Sequence, residues 1–139
     1  MKKERLAQLL TYAGTIPFLA SAVIGWQSPD MWGLDYNQII LTYGAVIASF
    51  IAGIHWGVYL FREPRINLFI HSNFVALLAW FAVLTALPGS AGILMLCFLY
   101  LLFIDKQLSN VGFLEPWYIR MRIVATLIVT LALSINILL

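Results

Sequence analysis

Five apolar stretches, each bounded by proline, glycine or charged turns, constrain this chain more than any other feature of its sequence. A helix rises 1.5 Å per residue, so about 20 apolar residues cross the roughly 30 Å hydrocarbon core of a bilayer. The stretches lie near residues 6–26, 36–61, 67–87, 90–104 and 118–139. The fourth is the shortest and is expected to stand nearly upright. Gln27-Ser28-Pro29-Asp30, Arg62-Glu63-Pro64-Arg65 and Pro88-Gly89-Ser90 separate the first four. A longer connection from Asp105 to Trp117, punctuated by Gly112 and Pro116, leads to the last. Pro17 predicts a kink in the first stretch. Pro116 suits the first turn of a helix, where its missing N–H costs nothing.

Composition points to the same solvent. Of the 139 residues, 63% are hydrophobic and only 10% are charged. A soluble domain carries roughly 25% charged residues, and a chain this short cannot hide so much apolar surface inside a water-soluble fold. The expected fold is an all-α integral membrane protein, a bundle of five transmembrane helices forming one domain over residues 1–139. Met1-Lys2-Lys3-Glu4-Arg5 before an apolar run resembles a signal peptide, but no small-x-small cleavage site with a polar mature domain follows. The first stretch is therefore expected to remain as a span. The sequence lacks an Arg/Ser-rich transit segment, which favours a bacterial inner (cytoplasmic) membrane.

With five spans, all eight basic residues fall at one side: Lys2, Lys3, Arg5, Arg62, Arg65, Lys106, Arg120 and Arg122. The positive-inside rule then places the N-terminus in the cytoplasm and the C-terminus outside. Trp26 and Trp32 fall at the outer interface, and Trp117 and Tyr118 at the inner one, where amphipathic rings anchor spans. The net charge of +2 is small and scattered, so the chain carries no nucleic-acid patch. The expected partners are the lipid bilayer, anionic lipid headgroups and a membrane complex or a second copy.

The second stretch has the clearest internal pattern. Ala45, Ser49, Gly53 and Gly57 recur every four residues, and Gly44, Ala48 and Ala52 form a second small row beside them. Ile47, Phe50, Ile54, Val58 and Phe61 take the far side of the wheel. Small rows let helix backbones approach, so this helix is expected to pack centrally with the bulky side toward lipid.

His55 shares the face of Gly44, Ala48 and Ala52, and so points at protein. His71 lies at similar depth on the next helix, which runs the opposite way. Asp105 ends the fourth stretch on that side, and Arg120 and Arg122 begin the fifth. With Asn73, these residues are expected to form one polar cluster in the cytoplasmic leaflet. Ionisable groups at such depth are costly and mark functional candidates. Arg120 and Arg122 are about 200° apart on a helix, so one should turn toward Asp105 while the other snorkels to phosphates.

Specific chemistry is less supported. The one cysteine, Cys97, reads as a small apolar side chain, and no CxxC or zinc spacing occurs, so no metal is expected. A haem between His55 and His71 is conceivable, but one histidine pair at similar depth is weak grounds for it. The sequence holds no Ser-His-Asp arrangement, Gly-rich phosphate loop or HExxH motif, so no catalytic residue is assigned. Three roles compete. The first, favoured by minimal extramembrane mass, is a structural or accessory protein of a membrane complex. The second is a small transporter or proton-coupled carrier using the polar cluster. The third is a binder of haem, quinone or lipid near the histidines.

Residues 43–57, Tyr-Gly-Ala-Val-Ile-Ala-Ser-Phe-Ile-Ala-Gly-Ile-His-Trp-Gly, resemble the signature of a family of small five-helix membrane proteins without an assigned activity. That family includes proteobacterial proteins and the eukaryotic transmembrane protein sixty-nine. Asp105 after an apolar run, followed by Pro116-Trp117-Tyr118-Ile119-Arg120-Met121-Arg122, fits the same pattern. The resemblance covers nearly the whole chain. It implies a five-helix membrane bundle and draws attention to His55, Trp56, Asp105, Trp117, Tyr118, Arg120 and Arg122.

Overall fold

Six α-helices account for most of the computed structural model, which describes residues 2–138. They are α1 (Lys3–Ala13), α2 (Ile16–Gln27), α3 (Tyr36–Arg62), α4 (Leu68–Thr85), α5 (Ser90–Asn110) and α6 (Pro116–Leu138), with a short 3-10 turn at Met31–Gly33. Met1, expected in the basic N-terminus, and Leu139, expected to close the last span, lie outside the described residues. Among the described residues five segments are long and apolar enough to cross a membrane, with α1 and α2 together forming the first, Lys3–Gln27.

Pro17 explains the break in that first segment. It lies in the opening turn of α2. A proline ring clashes with the carbonyl four residues earlier and removes one N–H from the ladder. The residue four before Pro17 is Ala13, the last of α1. The break therefore falls at Gly14 and Thr15, ahead of the proline. The joint's polar groups find partners: the Tyr43 hydroxyl of α3 donates to the Gly14 carbonyl at 2.9 Å, and Thr15 Oγ1 donates to the Tyr12 carbonyl at 2.7 Å. In lipid an unpaired carbonyl costs several kcal/mol, so Tyr43 replaces the bond that the break removes.

The fourth span is longer than its apolar stretch. α5 continues through Asp105 to Asn110 rather than ending at Ile104. Asp105 is no breaker because its carboxylate has partners inside the bundle. The helix stops where Gly112 adopts φ +80°, letting its N–H reach the Ser109 carbonyl (3.0 Å) and the Phe113 N–H reach the Leu108 carbonyl (2.9 Å). This pair of bonds is a Schellman closure, which a residue with a Cβ enters only at a cost.

One continuous apolar core joins α2 through α6, with Phe18, Leu41, Val75, Leu94, Phe98 and Leu133 among its buried members. A smaller cluster of Leu68, Ile104 and Leu108 fills the end where α5 extends. The outward faces are apolar as well: Phe74, Trp80, Leu96 and Leu127 are all exposed. No buried residue belongs to α1.

The small-residue face of α3 divides. Gly44, Ala48 and Ala52 are buried, and a Cβ on Gly44 would stand 2.9 Å from Leu94 Cδ1. Ala45 is half-buried, Ser49 and Gly53 are exposed, and a Cβ on Gly53 or Gly57 would meet open space. The expected packing role of Ser49, Gly53 and Gly57 is thus corrected. Four residues turn a helix through 400°, so a four-residue repeat drifts about 40° per step and its later members rotate away. The side assigned to lipid is corrected in part. Phe50 and Phe61 are exposed, but Ile47, Ile54 and Val58 are half-buried.

These faces make opposite mutational predictions. Gly44→Leu drives a side chain into buried Leu94 and should cost at least about 1–3 kcal/mol, as overpacking does. Gly53→Leu should be neutral or slightly stabilising, because leucine is the better helix former. Thermal unfolding of both variants in detergent checks the assignment. Equal losses would mean that the helix is rotated otherwise.

Candidate functional site

A carboxylate with no exposure to solvent sits at the meeting of three helices. Asp105 of α5 is 0% exposed. His55 Nε2–H donates to its Oδ1 at 2.7 Å, and Arg122 Nε–H of α6 donates to its Oδ2 at 2.7 Å. His55 and Arg122 are buried too. Both oxygens of the carboxylate thus have charged or polar donors, as a buried charge requires.

The sequence sets up this meeting by simple geometry. His55 lies seven residues before the end of α3, Asp105 five before the end of α5, and Arg122 six after the start of α6. At 1.5 Å per residue all three lie roughly 8–10 Å inside the same end of the bundle. Ala48 and Ala52 keep that side of α3 thin, so the imidazole reaches α5.

The other polar candidates go elsewhere. His71 of α4 contacts the Tyr100 hydroxyl of α5 through Nδ1, and their rings stack with centroids 5.8 Å apart. His55 and His71 therefore engage different groups on α5, Asp105 and Tyr100. Asn73 is exposed and donates to the Phe69 carbonyl of its own helix at 2.7 Å. Arg120 is exposed. The expected single cluster is thus corrected to the group of His55, Asp105 and Arg122, with a separate His71–Tyr100 pair. Among the described residues no three His, Cys, Asp or Glu side chains group as metal ligands.

Of His55, Asp105 and Arg122, the arginine also lines a cavity of about 390 Å³. Its walls come from the α1–α2 joint, the middle of α3, Phe98 of α5 and the first half of α6. Most of the lining is apolar. Thr11 and Thr15 are exceptions near the joint, and three more lie on α6: Tyr118, Arg122 and Thr126, four residues apart and so on one face. Among the described residues, the buried side-chain polar atoms without a hydrogen-bond partner are the Tyr118 hydroxyl, Arg122 Nη2 and Thr126 Oγ1. All three residues line this cavity.

Two of these three polar residues were not assigned to a binding wall by the sequence. Tyr118 was expected as an interface anchor, yet its hydroxyl is buried and it lines the cavity. Neighbouring Trp117 packs edge-on against its ring at 5.9 Å. Thr126 was missed. The usable signal was Tyr-Arg-Thr at four-residue spacing along an otherwise apolar helix. Trp26 and Trp32 are exposed at the opposite end of the bundle.

Comparison with known proteins gives one match. Residues 3–138 match the family described as protein of unknown function (DUF3429). No curated protein and no solved structure matches the chain.

The Asp105 geometry predicts a specific energetic coupling. Arg122→Gln leaves a buried carboxylate short of its counter-charge and should cost about 3–5 kcal/mol. Adding Asp105→Asn should recover part of that loss, giving a coupling of about 0.5–3 kcal/mol. Arg120→Gln should combine with Asp105→Asn additively, within about 0.5 kcal/mol. A double-mutant cycle read by unfolding in detergent measures both. Additivity for Arg122 would mean that the contact holds nothing.

Proposed function

The chain belongs to this family of proteins of unknown function, and on that premise we propose a multi-pass accessory protein of the bacterial inner membrane that works by binding rather than by catalysis. One observation carries the reading: both oxygens of the buried Asp105 carboxylate are taken by donors on two other helices. The most costly polar group of the bundle is spent on holding α3, α5 and α6 together. A carboxylate so occupied is poorly placed to shuttle protons, which disfavours the carrier reading.

Orientation follows from charge. Apart from Arg122, which is turned inward, the basic residues lie at or beyond the ends of helices at one side of the bundle. Arg62, Arg65, Lys106 and Arg120 are exposed there. The positive-inside rule assigns this side to the cytoplasm, where the exposed arginines meet anionic headgroups. The opposite end carries Trp26 and Trp32 and faces outward. The outward row of Ser49, Gly53 and Gly57 on α3 leaves room for a helix of a partner or a second copy.

Two measurements test the proposal. A C-terminal alkaline phosphatase fusion should be active in cells, while a fluorescent protein that folds only in the cytoplasm should stay dark at that end. The reverse pair would overturn the orientation. Native mass spectrometry after mild solubilisation should find the chain in a defined assembly, and a bare monomer would overturn the accessory role.

A further inference from the structure

We propose that the cavity lined by Arg122 binds a neutral prenylated quinone, with its ring against α6 and its tail leaving between α1 and α3 toward lipid. This goes beyond the accessory role, because it assigns a ligand to one site of the bundle. The starting observation is that Tyr118, Arg122 and Thr126 all line one cavity, each with a buried polar atom that lacks a partner. Thr126 is 1% exposed and Arg122 5%. Leaving buried donors unpaired costs about 1–3 kcal/mol each, more for a charged one. Three on one wall amount to a site built for acceptor oxygens.

The head of the ligand follows from charge and spacing. Arg122 already has its counter-charge in Asp105, at 2.7 Å through Nε. A carboxylate or phosphate would add a second, uncompensated anion to an apolar pocket, which is expensive. A neutral acceptor carries no such cost. The three donors also run along two turns of helix, about 12 Å of rise, rather than converging on one point. That spread suits several oxygens distributed around a flat ring. Phe18 and Phe98 add aromatic surface to the same cavity, their rings edge-to-face at 5.9 Å. Such surfaces stack well on a planar ring.

The tail follows from the opening. Leu10 of α1 and Phe50 of α3 both line the cavity and are 62% and 69% exposed. The cavity therefore reaches the apolar outer face of the bundle. Its volume lies within the range of single small-molecule sites. A long prenyl chain would extend beyond it into the bilayer, at no cost to its apolar surface. No electron transfer is assigned to the site; the inference concerns binding alone.

The test uses the full chain in phosphatidylcholine nanodiscs, with decylubiquinone as probe and palmitate as the anionic comparison. Decylubiquinone should bind saturably at one per chain, with at least tenfold higher affinity than palmitate. Thr126→Val and Tyr118→Phe keep shape and remove one hydroxyl each. Each should weaken quinone binding about fivefold, the worth of one hydrogen bond. Thr130→Val should bind like the unaltered chain, because Thr130 Oγ1 is already engaged with the Thr126 carbonyl at 2.8 Å. Absence of saturable quinone binding by the unaltered chain would overturn the proposal, even if a variant failed to fold. Tighter binding of palmitate would overturn the neutral head, and unchanged affinity in both hydroxyl variants would overturn the site. The Asp105 coupling and the orientation are measured separately, so their outcome stays distinguishable from this one.

Discussion

A carboxylate inside an apolar bundle must be paired, and Asp105 imposes that requirement on the whole arrangement. Its oxygens accept from α3 and α6 at 2.7 Å each. Two short, directional contacts from one side chain fix the rotation and the relative depth of three helices. Apolar packing alone fixes these weakly in lipid, where tails compete on equal terms with leucine. A buried ion pair is often no more stabilising than apolar residues of the same shape, but it is specific. Here it selects one register of α3, α5 and α6, since a turn's slip of α5 or α6 would strand a charge and a slip of α3 would leave one carboxylate oxygen without its donor.

The same contact decides what remains over. Arg122 offers five N–H donors on a planar fork, and Asp105 engages Nε. That leaves Nη2 buried without a partner, on a residue that lines the cavity with Tyr118 and Thr126 of the same face. Structural and binding roles are thus not alternatives for this residue. The ion pair supplies the rigid placement, and the donor it leaves unused is the one the proposed ligand would meet. The cavity is bordered on its other side by a different feature, the helix break at Gly14 and Thr15, both of which line it beside Phe18.

Much of the architecture was legible in the sequence because hydrophobic length and breakers act locally. The five stretches, the inward face of His55 and the rule that only one of Arg120 and Arg122 can turn inward follow from helical geometry alone; which one does so is a tertiary outcome. Other features depend on tertiary partners. The continuation of α5 past Ile104 could not be read from an Asp-Lys-Gln run, because only a buried His55 and Arg122 make that aspartate compatible with the interior. The small rows of α3 misled because a four-residue repeat drifts, so Gly44 meets Leu94 while Gly53 meets nothing. Asn73 and Arg120 share the depth of the cluster but not its side, and residue spacing along a helix reports depth more directly than side.

The first span divides its labour at the Gly14–Thr15 joint. α1 buries none of its residues, whereas α2 buries Phe18, Ser21, Ala22 and Gly25. The two halves are separated at a joint whose free carbonyl is held by Tyr43 of α3. Stability therefore comes from α2, and α1 adds little to the core. A segment with few buried contacts is the one that opens at least cost. Leu10, which α1 contributes to the cavity wall, is on that segment. His55, Asp105 and Arg122 belong to α3, α5 and α6, so the ion pair lies outside that segment. The proline that breaks the span and the carboxylate that locks the bundle are in this way complementary: one frees a wall, and the other keeps the opposite wall fixed.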